Sequence, residues 1–118
     1  MAKKGAYRKL LGPEFISDQV SVLADPKFNA NYNVAFLQIH NTSETDSVSV
    51  KIYDAANKDS VDASKEIVNE ELEPKKTIFI EYPQDGYRVE GEDSNLYAVA
   101  SASNAATVVM FGYIDYGA

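Results

Sequence analysis

The sequence predicts an all-β fold: an antiparallel β-sandwich of about seven or eight short strands, jelly-roll or Ig-like, with an extended N-terminal arm. Three observations carry that expectation. Period-two alternation of apolar and polar residues recurs through most of the 118 residues. Clusters of Asn, Asp, Ser, Gly and Pro interrupt it roughly every ten residues, as turns between short strands do. A single sheet of that many strands would leave one apolar face in water, so two sheets packed face to face are expected, with a small barrel as the alternative.

The chain opens with Lys3, Lys4, Arg8 and Lys9, all ahead of the first acidic residue, Glu14, with Tyr7, Leu10 and Leu11 among them. Residues 1–12 read as a basic arm ahead of a single domain at 13–118. Lys3, Lys4, Tyr7, Arg8, Lys9, Leu10 and Leu11 are the candidate partner-binding residues, and residues 2–11 are expected to lie extended against a neighbouring subunit. A first strand is expected near residues 19–23, ending before Pro26.

Residues 33–41 (NVAFLQIHN) place Ala35, Leu37 and Ile39 on one face and Val34 and Phe36 on the other. Residues 47–53 (SVSVKIY) alternate with Val48, Val50 and Ile52 on one face. The polar run from Asn41 to Asp46 between them favours a turn, so the two are expected to form a hairpin. Residues 54–72 are harder to read. Glu and Lys in 64–72 are good helix formers, but the apolar positions make no continuous stripe and no capping box opens them, so a short strand is favoured.

Residues 75–82 form a strand bounded by Pro74 and Pro83, neither of which can donate to a ladder. Asp85-Gly86 is expected to reverse the chain tightly into Tyr87-Arg88-Val89. Residues 95–103 set Leu96, Ala98, Ala100 and Ala102 on one face. Residues 106–115 set Val108, Met110 and Ile114 against Val109, Phe111 and Tyr113. A turn at Ser103-Asn104-Ala105 is expected to join them as a C-terminal hairpin.

Composition narrows the function. With no cysteine there are no disulfides, thiolate metal sites or thiol nucleophiles. The longest apolar run, around residues 107–111, is far too short to span a bilayer, and no apolar stretch of signal-peptide length follows Lys3-Lys4. Neither a membrane partner nor secretion by a cleaved signal is expected. The net charge is −7, and beyond Lys9 seven basic side chains face eighteen acidic ones. An acidic body repels phosphate backbones, so no nucleic-acid partner is expected.

Candidate chemistry is sparse. His40 is the lone histidine, which is too few for the usual transition-metal shells. No Gly-x-Ser-x-Gly elbow accompanies it, so it reads as a polar side chain at a strand end. Glu90, Glu92 and Asp93 around Gly91, with Asp85 nearby, have the oxygen ligands a calcium ion takes, but not the spacing of a helix-loop-helix calcium loop. A solvated acidic turn is the plainer reading. Tyr53, Tyr82, Tyr87 and Tyr97 are candidates for a sugar-binding face, although tyrosine in strands is first a β-former and interface residue. Glycine-rich phosphate loops are absent. No enzyme, small-molecule substrate or cofactor is expected.

Residues 74–114 contain Pro74-Lys75-Lys76-Thr77 before an apolar strand, then Tyr87-Arg88-Val89-Glu90-Gly91-Glu92-Asp93-Ser94 before Leu96-Tyr97-Ala98. Ala100-Ser101-Ala102-Ser103-Asn104-Ala105-Ala106 then precedes the last apolar strand. With Leu37-Gln38-Ile39-His40-Asn41-Thr42-Ser43 upstream, this pattern resembles small β-sandwich structural proteins, of decoration or tail type, in the virions of tailed bacteriophages. It departs from their common form at Pro74-Lys75-Lys76, where Pro-Gly-Glu is more usual, and in carrying the basic arm. The resemblance implies a structural role in the virion, chiefly as a capsid decoration or cement protein in many copies. A tail or head-tail connector component and a carbohydrate-binding module are the alternatives. It implies other virion proteins, major capsid or tail proteins, and further copies of the chain as partners.

Overall fold

The computed structural model describes residues 3–4, 6–26, 30–83, 86–90 and 94–116. Among them are ten strands: β1 (Lys3–Lys4), β2 (Arg8–Phe15), β3 (Ser21–Ala24), β4 (Ala30–Asn41), β5 (Val48–Ala55), β6 (Glu66–Leu72), β7 (Thr77–Glu81), β8 (Tyr87–Val89), β9 (Asn95–Ala100) and β10 (Ala106–Tyr116). Two single 3-10 turns, Lys58–Ser60 and Ala63–Lys65, lie between β5 and β6. Residues 66–72 are strand, as the missing helical stripe implied.

The strands form two antiparallel sheets. In the first, β10 and β4 lie at the centre; β1 and β2 pair successive stretches of β10, and β7 and β8 pair successive stretches of β4. The second has the order β3-β9-β5-β6. Counting each broken edge strand once, chain order across the sheets is 1-8-3-6 and 2-7-4-5. This is the nested double Greek key of a jelly roll.

That topology corrects both expected hairpins. Residues 33–41 (β4) and 47–53 (β5) lie in different sheets, and so do residues 95–103 (β9) and 106–115 (β10). Among the described strands only β5 and β6 are chain neighbours paired side by side. Alternation specifies which face of a strand is buried, and that requirement is met equally well in either sheet. The expected reversal at Asp85-Gly86 is corrected too. β7 and β8 both run antiparallel to β4, so the chain has the same direction before and after that point.

The core lies between the sheets. Val34, Leu37 and Ile39 of β4 and Val108 and Met110 of β10 meet Val50, Ile52, Leu72 and Leu96 from the opposite sheet, all essentially inaccessible. Burying each such side chain is worth about 1.5–3 kcal/mol relative to exposure. One register shift shapes the outer face of the first sheet. Phe111 pairs Phe36 while the next residue, Gly112, pairs Val34, so β4 carries an extra residue, Ala35. Val34 thereby joins Leu37 on the core side, contrary to simple alternation, and Phe36 faces outward. Gly112 is required at this bulge because a Cβ there would lie 2.0 Å from the Asn33 carbonyl oxygen.

Candidate functional site

With Met110 and Leu37 pointing into the core, their neighbours Phe111 and Phe36 stand on the outer face of the six-stranded sheet. Register carries this row to both edges: Lys9 on β2 pairs Phe111, Phe111 pairs Phe36, and Phe36 pairs Glu81 on β7. A basic and an acidic side chain thus flank two phenylalanines across four strands. A parallel row runs Phe15, Thr107, His40, Thr77, and between the two lie Val109, Gln38 and Phe79.

The rings form a continuous cluster. Phe36 lies 5.6 Å from Phe79 and 5.9 Å from Phe111, and Tyr7 lies 6.3 Å from Phe111 and 5.4 Å from Tyr113, centroid to centroid. These spacings suit aromatic pairs, each worth roughly 0.5–1.5 kcal/mol beyond area burial. Yet its two ends are open to solvent, with Phe79 60% and Tyr7 53% exposed, and Phe15 in the neighbouring row is 53% exposed, while Phe36 and Phe111 between them are half-buried. Contiguous exposed apolar surface of this kind marks interaction sites on soluble proteins. Beside the bulge, Tyr7, Ala35, Phe36, Glu81, Tyr82 and Pro83 line a cleft of about 340 Å³.

The basic stretch is built into the edge of this same sheet. Lys3 and Lys4 pair Tyr116 and Asp115 along the backbone, and residue 12, the expected domain boundary, falls inside β2. Leu10 and Leu11 pack against the chain's own core. Tyr7, Arg8 and Lys9 are exposed. Of the candidate partner-binding side chains described, Tyr7 and Lys9 therefore adjoin the aromatic face, whereas the two leucines are occupied within the chain.

The other candidates are dispersed. His40 Nδ1 lies 2.7 Å from Thr77 Oγ1 on the outer face. Tyr53 and Tyr97 pair on the far sheet, next to Val22. Tyr82 and Tyr87 contact each other at 5.3 Å, and Tyr87 donates to Asp54 Oδ2 at 2.5 Å, linking the sheets, while Ser94 Oγ donates to Asp54 Oδ1 at 2.7 Å. Burial, then the Asp54 carboxylate, hold the Tyr87 phenol well above its usual pKa, and burial raises that of Tyr82. The four tyrosines thus make no common sugar-binding face.

Of the acidic turn, Asp85, Gly91, Glu92 and Asp93 lie outside the described residues. Glu90 accepts from Arg88 Nε at 3.2 Å. Arg88 Nη1 also lies 3.9 Å from Asp115, to which Asn33 donates a hydrogen bond. Among the described residues no group of three or more His, Asp or Glu side chains is placed to hold a metal ion.

The exposed aromatic face is what sequence reading missed. Alternation sets Phe36, Phe111 and Tyr113 on strand faces opposite Leu37 and Met110, and Phe79 sits between the apolar Ile78 and Ile80. The signal is each residue's parity, but assembling them needs the pairing of β10 with β4 and of β4 with β7. Compared with protein-family models and with curated proteins, the chain matches none.

Proposed function

We propose that this chain is a non-enzymatic structural protein of a bacteriophage virion, a capsid decoration or cement protein held in many copies by burying its own surface against protein neighbours. The observation that carries this reading is the solvent-open aromatic face, with Phe79, Tyr7 and Phe15 each more than half exposed. Water-exposed rings held rigidly on a sheet lose little entropy when covered, which suits a surface meant to be buried by a partner. The resemblance of residues 74–114 to phage virion proteins supports the virion setting. The jelly roll does so by analogy alone, since it serves viral capsid and lectin domains alike. Weak contacts become tight overall when symmetry repeats them.

Quantitative mass spectrometry of purified phage particles tests this, with the chain expected at a fixed copy number and antibody labelling expected on the capsid. Its absence from intact particles would remove the reading, and labelling confined to the tail or neck would move it to the connector alternative. A carbohydrate-binding module is the second reading. It is favoured by the cleft that sets Tyr7, Phe36 and Tyr82 beside Glu81, and binding on a glycan array that is lost in Tyr7→Ala would support it.

A further inference from the structure

We infer that the outer aromatic face pairs with the same face of a second copy about a two-fold axis parallel to the strands. This rests on the reading that the face is buried against protein, and it names the partner. The row Lys9, Phe111, Phe36, Glu81 is complementary to itself when its two ends are exchanged. An axis lying between two such faces, along the line between β10 and β4, exchanges them. Lys9 of each copy then meets Glu81 of the other, and Phe111 of each meets Phe36 of the other. This contact is isologous, as in the commonest closed oligomers, and lets the two sheets pack in the aligned manner of β-sandwiches.

Charge complementarity selects this occupant. The same rotation brings the row containing Tyr7 toward Arg88, since Tyr7 contacts Tyr113, which pairs Asn33, which pairs Arg88. An exposed ring and a cation are thereby placed together. Within one copy, Lys9 and Glu81 stand three strand spacings apart, roughly 14 Å. They do not neutralise each other, and both are exposed. Four strands of about 4.8 Å spacing and five residues of about 3.3 Å rise give a face of roughly 300–400 Å² per copy. Over the two copies that is roughly 600–800 Å², below the size of stable specific interfaces and in the range of weak, transient ones, so a dissociation constant on the order of 100 µM is expected.

Sedimentation equilibrium of the full chain at about 10–300 µM tests this. A monomer-dimer equilibrium is expected. Lys9→Glu and Glu81→Lys should each weaken it by about tenfold or more, because every reversal sets two like-charge pairs face to face. The double variant K9E/E81K should return to within about threefold of the original. Since the two positions are too far apart to pair within one chain, that rescue can only act between copies. Phe79→Ser should also weaken the dimer while leaving the thermal midpoint in place, as its side chain is 60% exposed. A chain that stays monomeric, a dimer indifferent to both reversals, or a double variant no better than the singles would overturn the pairing. The readout is the mass of the isolated chain, so its failure leaves the virion assignment standing. Absence from particles, conversely, leaves the pairing standing.

Discussion

Asn41 is buried at the end of β4 with its side-chain amide fully engaged. Nδ2 lies 2.9 Å from the Asp46 carbonyl oxygen, 3.0 Å from that of Leu72 and 3.1 Å from that of Glu73, and Oδ1 accepts from the Ser43 N–H at 2.9 Å. It ties the last residue of β4 in one sheet to the end of β6 in the other. Asn41→Leu would leave those groups without partners, and a loss of about 2–4 kcal/mol is expected from urea unfolding. Asn41→Asp should be at least as severe, because a carboxylate facing three carbonyl oxygens has no proton to offer. Tyr87 sets a second expectation. In the unfolded chain its phenol ionises near pH 10, whereas in the fold burial and Asp54 keep it protonated beyond that. The native state therefore holds a proton that the unfolded state releases. The associated stability is whole below pH 10 and is lost as pH rises from there toward the folded-state pKa. The urea midpoint of the wild type should fall in that interval, and that of Tyr87→Phe should fall less steeply.

At the scale of elements, the bulge in β4 decides the character of the outer face. Without the extra residue Ala35, Val34 would point outward with Phe36 and a core position would be empty. Gly112 is what allows the strands to approach there. Gly112→Val should destabilise the fold by about 2 kcal/mol or more, since the added Cβ meets backbone rather than a movable side chain. The same variant should disturb ring packing at Phe111, seen as a change in near-ultraviolet circular dichroism. The edge strand β2 is the other decisive element. Sequence asymmetry identifies its charge, while pairing with β10 shows that its leucines serve the chain's own core and that Tyr7 and Lys9 border the aromatic cluster.

On the scale of the whole molecule, the two sheets depend on each other through crossings at nearly every connection. Ile16 N–H donates to Ala106 O at 2.8 Å and Ala100 N–H to Ser17 O at 2.9 Å, stitching the passage from β2 to β3 onto both sheets. Removing residues 1–11 would strip most of an edge from β10, unpair its backbone groups and expose core beside Met110. A thermal midpoint lower by 10 °C or more is expected for a loss of about 2–4 kcal/mol, measurable by calorimetry. A truncation that left the midpoint unchanged would mean that β2 contributes little to the fold.

The sequence by itself determined that this protein is an all-β sandwich. Strand parity depends on local chemistry, so Val48, Val50 and Ile52, or Val108 and Met110, could be assigned to a buried face without knowing what buries them. The strand at residues 66–72 was legible for the same reason, because Ile67, Val68 and Leu72 form no helical stripe. Only the tertiary structure decided which strands are neighbours. The turn at residues 41–46 looks the same whether it closes a hairpin or crosses between sheets, and what separates the two is Asn41 reaching the carbonyls of Leu72 and Glu73, some thirty residues away. The outer aromatic face belongs to that second category. Its rings are far apart in the chain and become one surface only through the pairing of β10, β4 and β7, a long-range outcome that no local pattern encodes.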